Sequence, residues 1–366
     1  MKILHVESGK HFYGGARQVA YIIKGLSESG IENILACPQK TDLAQHVSGY
    51  AEVCEIPMKG DADIGMTWRL VNIIRKYRPD MIHLHSRRGA DIWGGIAAKI
   101  THTPCILSRR VDNPEPHWFV SLKYRLYDHI ITISEAIRQV LISEGVPSQK
   151  ITCVRSAVDP TPYLQPVDRT LMSKEFRLPE NALVIGIVAQ LIPRKGHHYL
   201  IDAIEILSKD YPQIRVICFG QGPLLSPLKT IVQQKKLENV IQFAGFRTDL
   251  PKWLGGLDIL AHPADMEGLG VSLLQASAAA VPIVTTRAGG LPEAVQDGVT
   301  GILIDPGDAV SLTAALRRLI EDTSLRHKLG AAGRKRIMSA FSVEAMAKGN
   351  LDVYKKVLNE THTKKK

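Results

Sequence analysis

Residues 261–282 read AHPADMEGLGVSLLQASAAAVP. The stretch opens at the end of an apolar run, LDILAHP, and passes an acidic residue at Glu267. It then turns on Gly268-Leu269-Gly270 and continues as an amphipathic run that stops at Pro282. A strand that ends at a carboxylate and turns on glycines into a helix forms an anion pocket. Glycine lets the backbone approach a ligand, and a helix start presents unpaired N–H groups at the positive end of its dipole. Glu267, at the lip, can accept hydrogen bonds from hydroxyls while the amides hold a phosphate. The pattern suits a ligand that carries both, such as a nucleotide-activated sugar.

The same rhythm runs outward in both directions. Upstream, ALVIGIVAQ, RVICFG, VIQFAG and DILAHP read as strands; downstream, so do PIVTT and GILI. Helical periodicity fills 198–209, 224–236, 250–254, 293–296 and 309–320 between and after them. The first half repeats the scheme, with KILHV, ENILACP, EVCEIP, DMIHLH, PCILS, HIITIS and KITCV as strands. Its helices are ARQVAYIIKGLSESG, MTWRLVNIIRKYRP, ADIWGGIAAKI and EAIRQVLISEG. Buried runs separated by crossover helices mark a doubly wound parallel sheet. Pro160, Pro162, Pro166 and Pro179 break the alternation and read as a linker. The expected fold class is therefore α/β, with two doubly wound Rossmann-like domains, 1–165 and 166–340, facing across a cleft. Both should aim the loops beyond their strands' carboxyl ends at that cleft.

Composition narrows the partners. A hydrophobic share of 45% against 22% charged describes a soluble globular chain. The longest apolar run, around 182–192, is too short to span a bilayer. KILHV begins directly as a strand with no secretory leader, so a cytoplasmic protein is expected. The net charge of +10 favours anionic partners: nucleotide diphosphates, phosphorylated glycans or anionic lipid headgroups. Nucleic acid is disfavoured, because no recognised binding motif accompanies the charge. Part of the charge sits in Lys364-Lys365-Lys366, read as a frayed tail. Cys37, Cys54, Cys105, Cys153 and Cys218 form no C-x-x-C pair and read as reduced core thiols.

Four motifs in series carry a resemblance. Gly14-Gly15 after the first strand, PRKG at 193–196, EGLG at 267–270 and AGGLPEAVQDGVTGILIDPGD at 288–308 together resemble glycosyltransferase family 4. The similarity covers nearly the whole chain. It implies the GT-B fold, retention of anomeric configuration and a nucleotide-sugar donor bound mainly by the C-terminal domain, the N-terminal one binding the acceptor. It also implies that no cofactor or metal is required, and that the last helix, 341–366, packs back on the first domain.

Position by position, the resemblance places the donor acid on Glu267 and the sugar- and diphosphate-facing amides on Gly268, Leu269 and Gly270. Lys195, with Arg194 beside it, would neutralise the diphosphate, and Phe246-Arg247 would form the nucleobase loop. Gly14 and Gly15 would let the first domain close on the phosphate. Three positions depart from the family pattern. The second glutamate, eight residues after the first, is Gln275; the arginine of the G-R-L-x-x-x-K-G stretch is Gln190; and the histidine after PCILS is replaced by Arg109-Arg110.

Other residues admit two readings. His83 and His85 alternate on one strand face, where a metal pair lacks a third ligand and packing is the more frequent explanation; His85, at the carboxyl end, is the better site candidate. Arg109 and Arg110 suit either a phosphate-bearing acceptor or a solvated surface pair. Asp61-Ala-Asp63 reads as a structural loop, and Glu293 as either a helix first turn or a ligand. In HWFVSLKYRLY, 117–127, Trp118, Leu122 and Leu126 share a helical face; core packing is the more frequent use, and an anionic membrane surface the alternative.

The expectation is a metal-independent retaining transferase at the cytoplasm or the inner face of the membrane. It would move a hexose or N-acetylhexosamine from an NDP-sugar, UDP first, to a glycan or lipid-linked acceptor of a lipopolysaccharide-like envelope polymer. Its rivals are a nucleotide-sugar 2-epimerase of the same fold, and a sugar-nucleotide-binding protein without turnover, suggested by Gln190 and Gln275.

Overall fold

The computed structural model describes residues 1–12, 14–87, 89–111 and 113–364, except the side chains of His362 and Lys364. Lys365 and Lys366 of the expected tail lie outside the described residues.

The first sheet holds β1 (Lys2–Val6), β2 (Glu32–Cys37), β3 (Glu52–Glu55), β4 (Met81–Leu84), β5 (Cys105–Arg109), β6 (His129–Thr132) and β7 (Ile151–Cys153). They lie in the order β3-β2-β1-β4-β5-β6-β7. The second holds β8 (Leu183–Val188), β9 (Ile214–Phe219), β10 (Ile241–Gly245), β11 (Ile259–His262), β12 (Ile283–Thr286) and β13 (Gly301–Ile304), in the order β10-β9-β8-β11-β12-β13. Pairing is parallel throughout. Among the described residues, thirteen strands match the thirteen strand-like runs. The inner ones, covered on both faces, must be apolar at successive positions, while the edge strands β3 and β10 are only partly buried. Each fully buried Leu, Ile or Val among them contributes roughly 1.5–3 kcal/mol.

In each sheet the chain winds outward from its first strand, returns, and continues on the other side. The order therefore reverses between β1 and β4, and again between β8 and β11. The loops leaving those paired strands diverge and leave a crevice at the carboxyl ends.

The chain divides into two compact units, Met1–Ala157 with Val343–Lys366, and Val158–Ser342. The division falls ahead of the proline-rich stretch because that stretch packs on the second unit. There Tyr163 is buried, and Arg169 donates to Asp258 and to the Ala182 carbonyl oxygen. In the first unit, Met346, Val353, Tyr354 and Val357 of the helix Val343–Lys364 pack with Ile3, Ile22, Leu26 and Ile106. All five cysteines are free. No helix among the described residues is long and apolar enough to cross a membrane.

Candidate active site

Two loops of the second unit converge where its strand order reverses. One leaves β8 through a 3-10 turn, Pro193–Lys195; the other leaves β11 after His262. Gly196 closes the turn at φ +68°, and a Cβ there would lie 1.9 Å from the Pro263 carbonyl oxygen. Only glycine seats the turn so close to the other loop. The Asp265 N–H then donates to the Arg194 carbonyl at 2.9 Å, and the Arg194 guanidinium donates to the Met266 carbonyl at 3.0 Å. So fastened, Lys195 forms an ion pair with the Glu267 carboxylate.

His262 Nε2 sits 3.3 Å from Glu267 Oε2, and the Gly268 N–H donates to Oε1 at 3.1 Å. Burial works to raise the Glu267 pKa, but the His262 hydrogen bond and the Lys195 charge outweigh it and hold the carboxyl well below its usual range. Burial lowers the His262 pKa against the pull of Glu267, and Nε2–H is the group that donates to the carboxylate. His262 Nδ1 and both ring nitrogens of His197 are buried without a hydrogen-bond partner among the described residues. Burial, followed by the proximity of His262 and Lys195, holds His197 down to about 4.

Gly270, at φ +79°, starts the helix Val271–Ala278 with no side chain capping it, so its first amides stay open. A Cβ on Gly270 would lie 2.3 Å from a Leu273 methyl carbon. Gly268 and Leu269 are buried beside it, and Gln275 is half-buried one turn along. The AGGLPE segment joins this group through the Gly290 N–H, which donates to the Glu267 carbonyl at 3.0 Å. Glu293 lies half-buried in the short helix Leu291–Ala294. Gln190 is exposed in the bend after β8, and Phe246 is 47% exposed after β10. Arg247 is committed elsewhere: it pairs with Asp249 at 2.8 and 3.0 Å and with Glu175 at 2.7 Å, its guanidinium over the Trp253 ring.

In the first unit, Gly14 and Gly15 open the exposed start of the helix Gly14–Glu28, where a Cβ on either would meet nothing within 4 Å. His83 and His85 are buried, and β1 supplies the third histidine, His5, paired with His83 in register. Their ligand atoms lie within 4.8 Å of one another. His5 Nδ1 meets His85 Nε2 at 2.9 Å; His83 meets the Tyr354 hydroxyl at 2.6 Å and the Ser108 hydroxyl at 2.8 Å.

The two arginines after PCILS are not a solvated surface pair. Arg109 is 2% exposed, with Nη1 3.2 Å from Glu115, in an ion cluster with Lys123 and Asp91. Arg110 is half-buried and turns to His85, 3.4 Å away. The core-packing reading of 117–127 is also overturned at two positions. Trp118 is 72% and Leu122 63% exposed, because Val120, Lys123, Tyr124 and Tyr127 take the buried side. Asp63 accepts from the Lys59 N–H and from Arg69, a loop role.

The family profile described as Glycosyl transferases group 1 matches residues 168–336, and that described as Glycosyltransferase Family 4 matches residues 12–161. The chain belongs to glycosyltransferase family 4. It is 25% identical over 357 residues to the lipopolysaccharide core biosynthesis glycosyltransferase LpsE of Rhizobium meliloti, covering 96% of this chain and 98% of LpsE. It is 30% identical over 262 residues to the putative colanic acid biosynthesis glycosyltransferase WcaL of Salmonella typhimurium, covering 69% of this chain and 62% of WcaL. The crystal structure of Anabaena HepE in complex with UDP-glucose superposes with a TM-score of 0.85 at 22% identity, covering 97% of this chain and 100% of HepE. The fold is GT-B.

Within this family-4 enzyme the structure adds two residues the sequence reading passed over, His262 and His197. Both stood inside quoted motifs, one ending the strand of AHP and the other following PRKG. Their burial beside Glu267 and Lys195 depends on contact between loops, which no single motif displays.

Proposed function

We propose that the chain is a retaining glycosyltransferase whose second unit binds the nucleotide-sugar donor around Glu267 and Lys195. It moves a hexose or N-acetylhexosamine from an NDP-sugar, UDP first, to a glycan or lipid-linked acceptor of an envelope polymer, without a metal. The observation that carries this reading is the meeting of Lys195, Arg194, Glu267 and the uncapped start of Val271–Ala278 at one switch point.

Negative charge grows on the diphosphate as the glycosidic bond breaks, so fixed positive groups aimed there lower the barrier. Lys195 is the member of that set that the protein already pairs with an anion. Paired with Glu267 in the free protein, it exchanges one anion for another when the diphosphate arrives, and frees Glu267 to accept hydrogen bonds from sugar hydroxyls. His262 and the Gly268 N–H keep that carboxylate in place. UDP is supported by the UDP-glucose complex of HepE, and an envelope acceptor by the names of LpsE and WcaL. Trp118 and Leu122 support a peripheral position at the inner face of the membrane.

The test is thermal shift against UDP-, GDP- and ADP-sugars, each with and without magnesium. A ligand that binds the folded state raises Tm by mass action. One nucleotide class should raise it equally in both conditions, and slow release of free nucleotide should follow. Isomerised sugar nucleotide in place of release would identify an epimerase. No shift from any NDP-sugar defeats the proposal.

A further inference from the structure

We infer that the carboxyl ends of β1, β4 and β5 form an anion subsite centred on Arg110, which takes a phosphate or carboxylate group carried by the acceptor. It rests on the reading of the first unit as the acceptor-holding one.

The first observation is charge balance. Other buried cations have a carboxylate in contact: Arg109 meets Glu115 at 3.2 Å, Lys123 meets Asp91 at 2.9 Å and Glu115 at 3.0 Å, and Lys195 meets Glu267. Arg110 has no carboxylate oxygen within 4.0 Å among the described residues. Its Nε is buried with no hydrogen-bond partner among the described residues, and its Nη2 meets His85 Nδ1 at 3.4 Å. A desolvated guanidinium left this way is costly unless an anion completes it.

The second observation is a hydrogen-bond chain whose direction is determined. Asn33 Nδ2 faces the carbonyls of Ile23, Ile31 and Tyr50, so its Oδ1 must be the atom that accepts from His5 Nε2, 3.1 Å away. His5 Nδ1 is then an acceptor, and His85 Nε2–H donates to it at 2.9 Å. That leaves a lone pair on His85 Nδ1, which receives an N–H of Arg110. Burial pushes His5 down to about 4 and His85 well below its usual range, so both rings stay neutral and the chain holds its direction. A metal on these histidines would break the chain and stand against the guanidinium. The chain instead fixes Arg110 by one edge, leaving Nε and Nη1 for a ligand.

The third observation is place. Arg110 follows β5 and His85 follows β4, beside Glu7 after β1, where the first sheet reverses its order. Glu7 makes no ion pair with the arginine within 4.0 Å. Its carboxylate accepts from the Gly9 N–H at 2.8 Å, and burial raises its pKa against the pull of that hydrogen bond and of Arg110. Among the described residues, the crevice therefore brings no carboxylate oxygen within 4.0 Å of this positive centre.

The test follows the His85 ring by 1H–13C NMR in the full-length protein, with His85→Gln to assign the signal. Inorganic phosphate, glucuronate and uncharged methyl glucoside are added in turn. A saturable shift with phosphate or glucuronate and none with methyl glucoside is expected. Arg110→Gln should weaken it at least tenfold, Arg110→Lys should retain part of it, and Lys195→Met should leave it intact. Response to phosphate alone assigns a phosphorylated acceptor, to glucuronate alone a uronic-acid acceptor, and to both a general anion site. Three outcomes overturn the inference: no response in the unmodified protein, an equal response in Arg110→Gln, or its loss in Lys195→Met. Because no donor is present, this readout fails or succeeds independently of the nucleotide-sugar thermal shift.

Discussion

Lys195 and Glu267 are nearly enclosed, with side chains 8% and 17% exposed, so removing either leaves the other's charge in a poorly hydrated place. The two losses are unequal. Glu267→Gln keeps a neutral acceptor for Lys195 and for His262, whereas Lys195→Met strands a carboxylate. Breaking a buried pair at one partner costs about 3 kcal/mol or more. Lys195→Met should therefore lower stability by about that amount, Glu267→Gln by less, and the double variant should recover most of the loss in urea denaturation. Simple additivity would mean the pair is not coupled. Turnover should fall about 100- to 1000-fold in both single variants, since each removes a group aimed at the reacting diphosphate or sugar. This pair was legible in the sequence because PRKG and EGLG are local patterns with local causes. Arg109 and Arg110 were not separable that way. Neighbouring residues at a strand end point to opposite sides, and only the fold shows that Glu115 waits on one and His85 on the other.

A turn that must be glycine holds the element-scale geometry of the site. Gly196→Ala would set a Cβ 1.9 Å from the Pro263 carbonyl oxygen at a positive φ. The turn must move, taking Lys195 away from Glu267. The expected result is a stability loss of roughly 1–3 kcal/mol with a larger fractional loss of donor affinity. Gly49→Ala, with nothing near its Cβ, should change neither, which calibrates the denaturation and binding measurements. The helix His117–Lys123 presents Trp118 and Leu122 one turn apart, both open to solvent. Replacing both by Ser should weaken binding to anionic vesicles severalfold while leaving Tm unchanged; unchanged sedimentation with vesicles would remove the membrane role. The inner strands were legible because burial on two faces writes itself as apolar runs, and the edge strands β3 and β10 because they recur in the same alternation with helices. The helix Thr323–Ala340 was not: its Gly330 and Gly333 look like breaks. They are crossing points, where a Cβ on Gly330 would lie 2.0 Å from the Ala280 carbonyl oxygen. Close helix packing erases the apolar stripe that marks a helix in sequence.

Across the whole molecule, the buried histidines are unevenly shared. The first unit holds His5 and His129, both lowered to about 4 by burial, with His83 and His85 also held well below the usual range. The second holds His197, lowered to about 4, and His262, also lowered. A histidine kept neutral in the fold but free to protonate when unfolded makes the unfolded chain the better proton binder between pH 6.5 and about 4. Stability is then full above pH 6.5 and falls as the solution is acidified through that window, by about 1.4 kcal/mol for each unit of depression. Glu267 works in the other range: its lowered pKa contributes stability above the usual carboxylate value and surrenders it only as pH falls further. Four such histidines against two predict that the first unit opens first. In hydrogen exchange corrected for intrinsic rates, peptides from β4 and β5 should lose protection at higher pH than peptides from β8 and β11. His129→Gln should narrow the gap, because the Thr152 hydroxyl that this ring meets is one to which glutamine can also hydrogen-bond. If β8 and β11 opened first, the uneven burial of histidine would not govern the acid response. If both units opened together, the two sheets would be unfolding as one cooperative body, and the proton linkage of the first would be carried by the second.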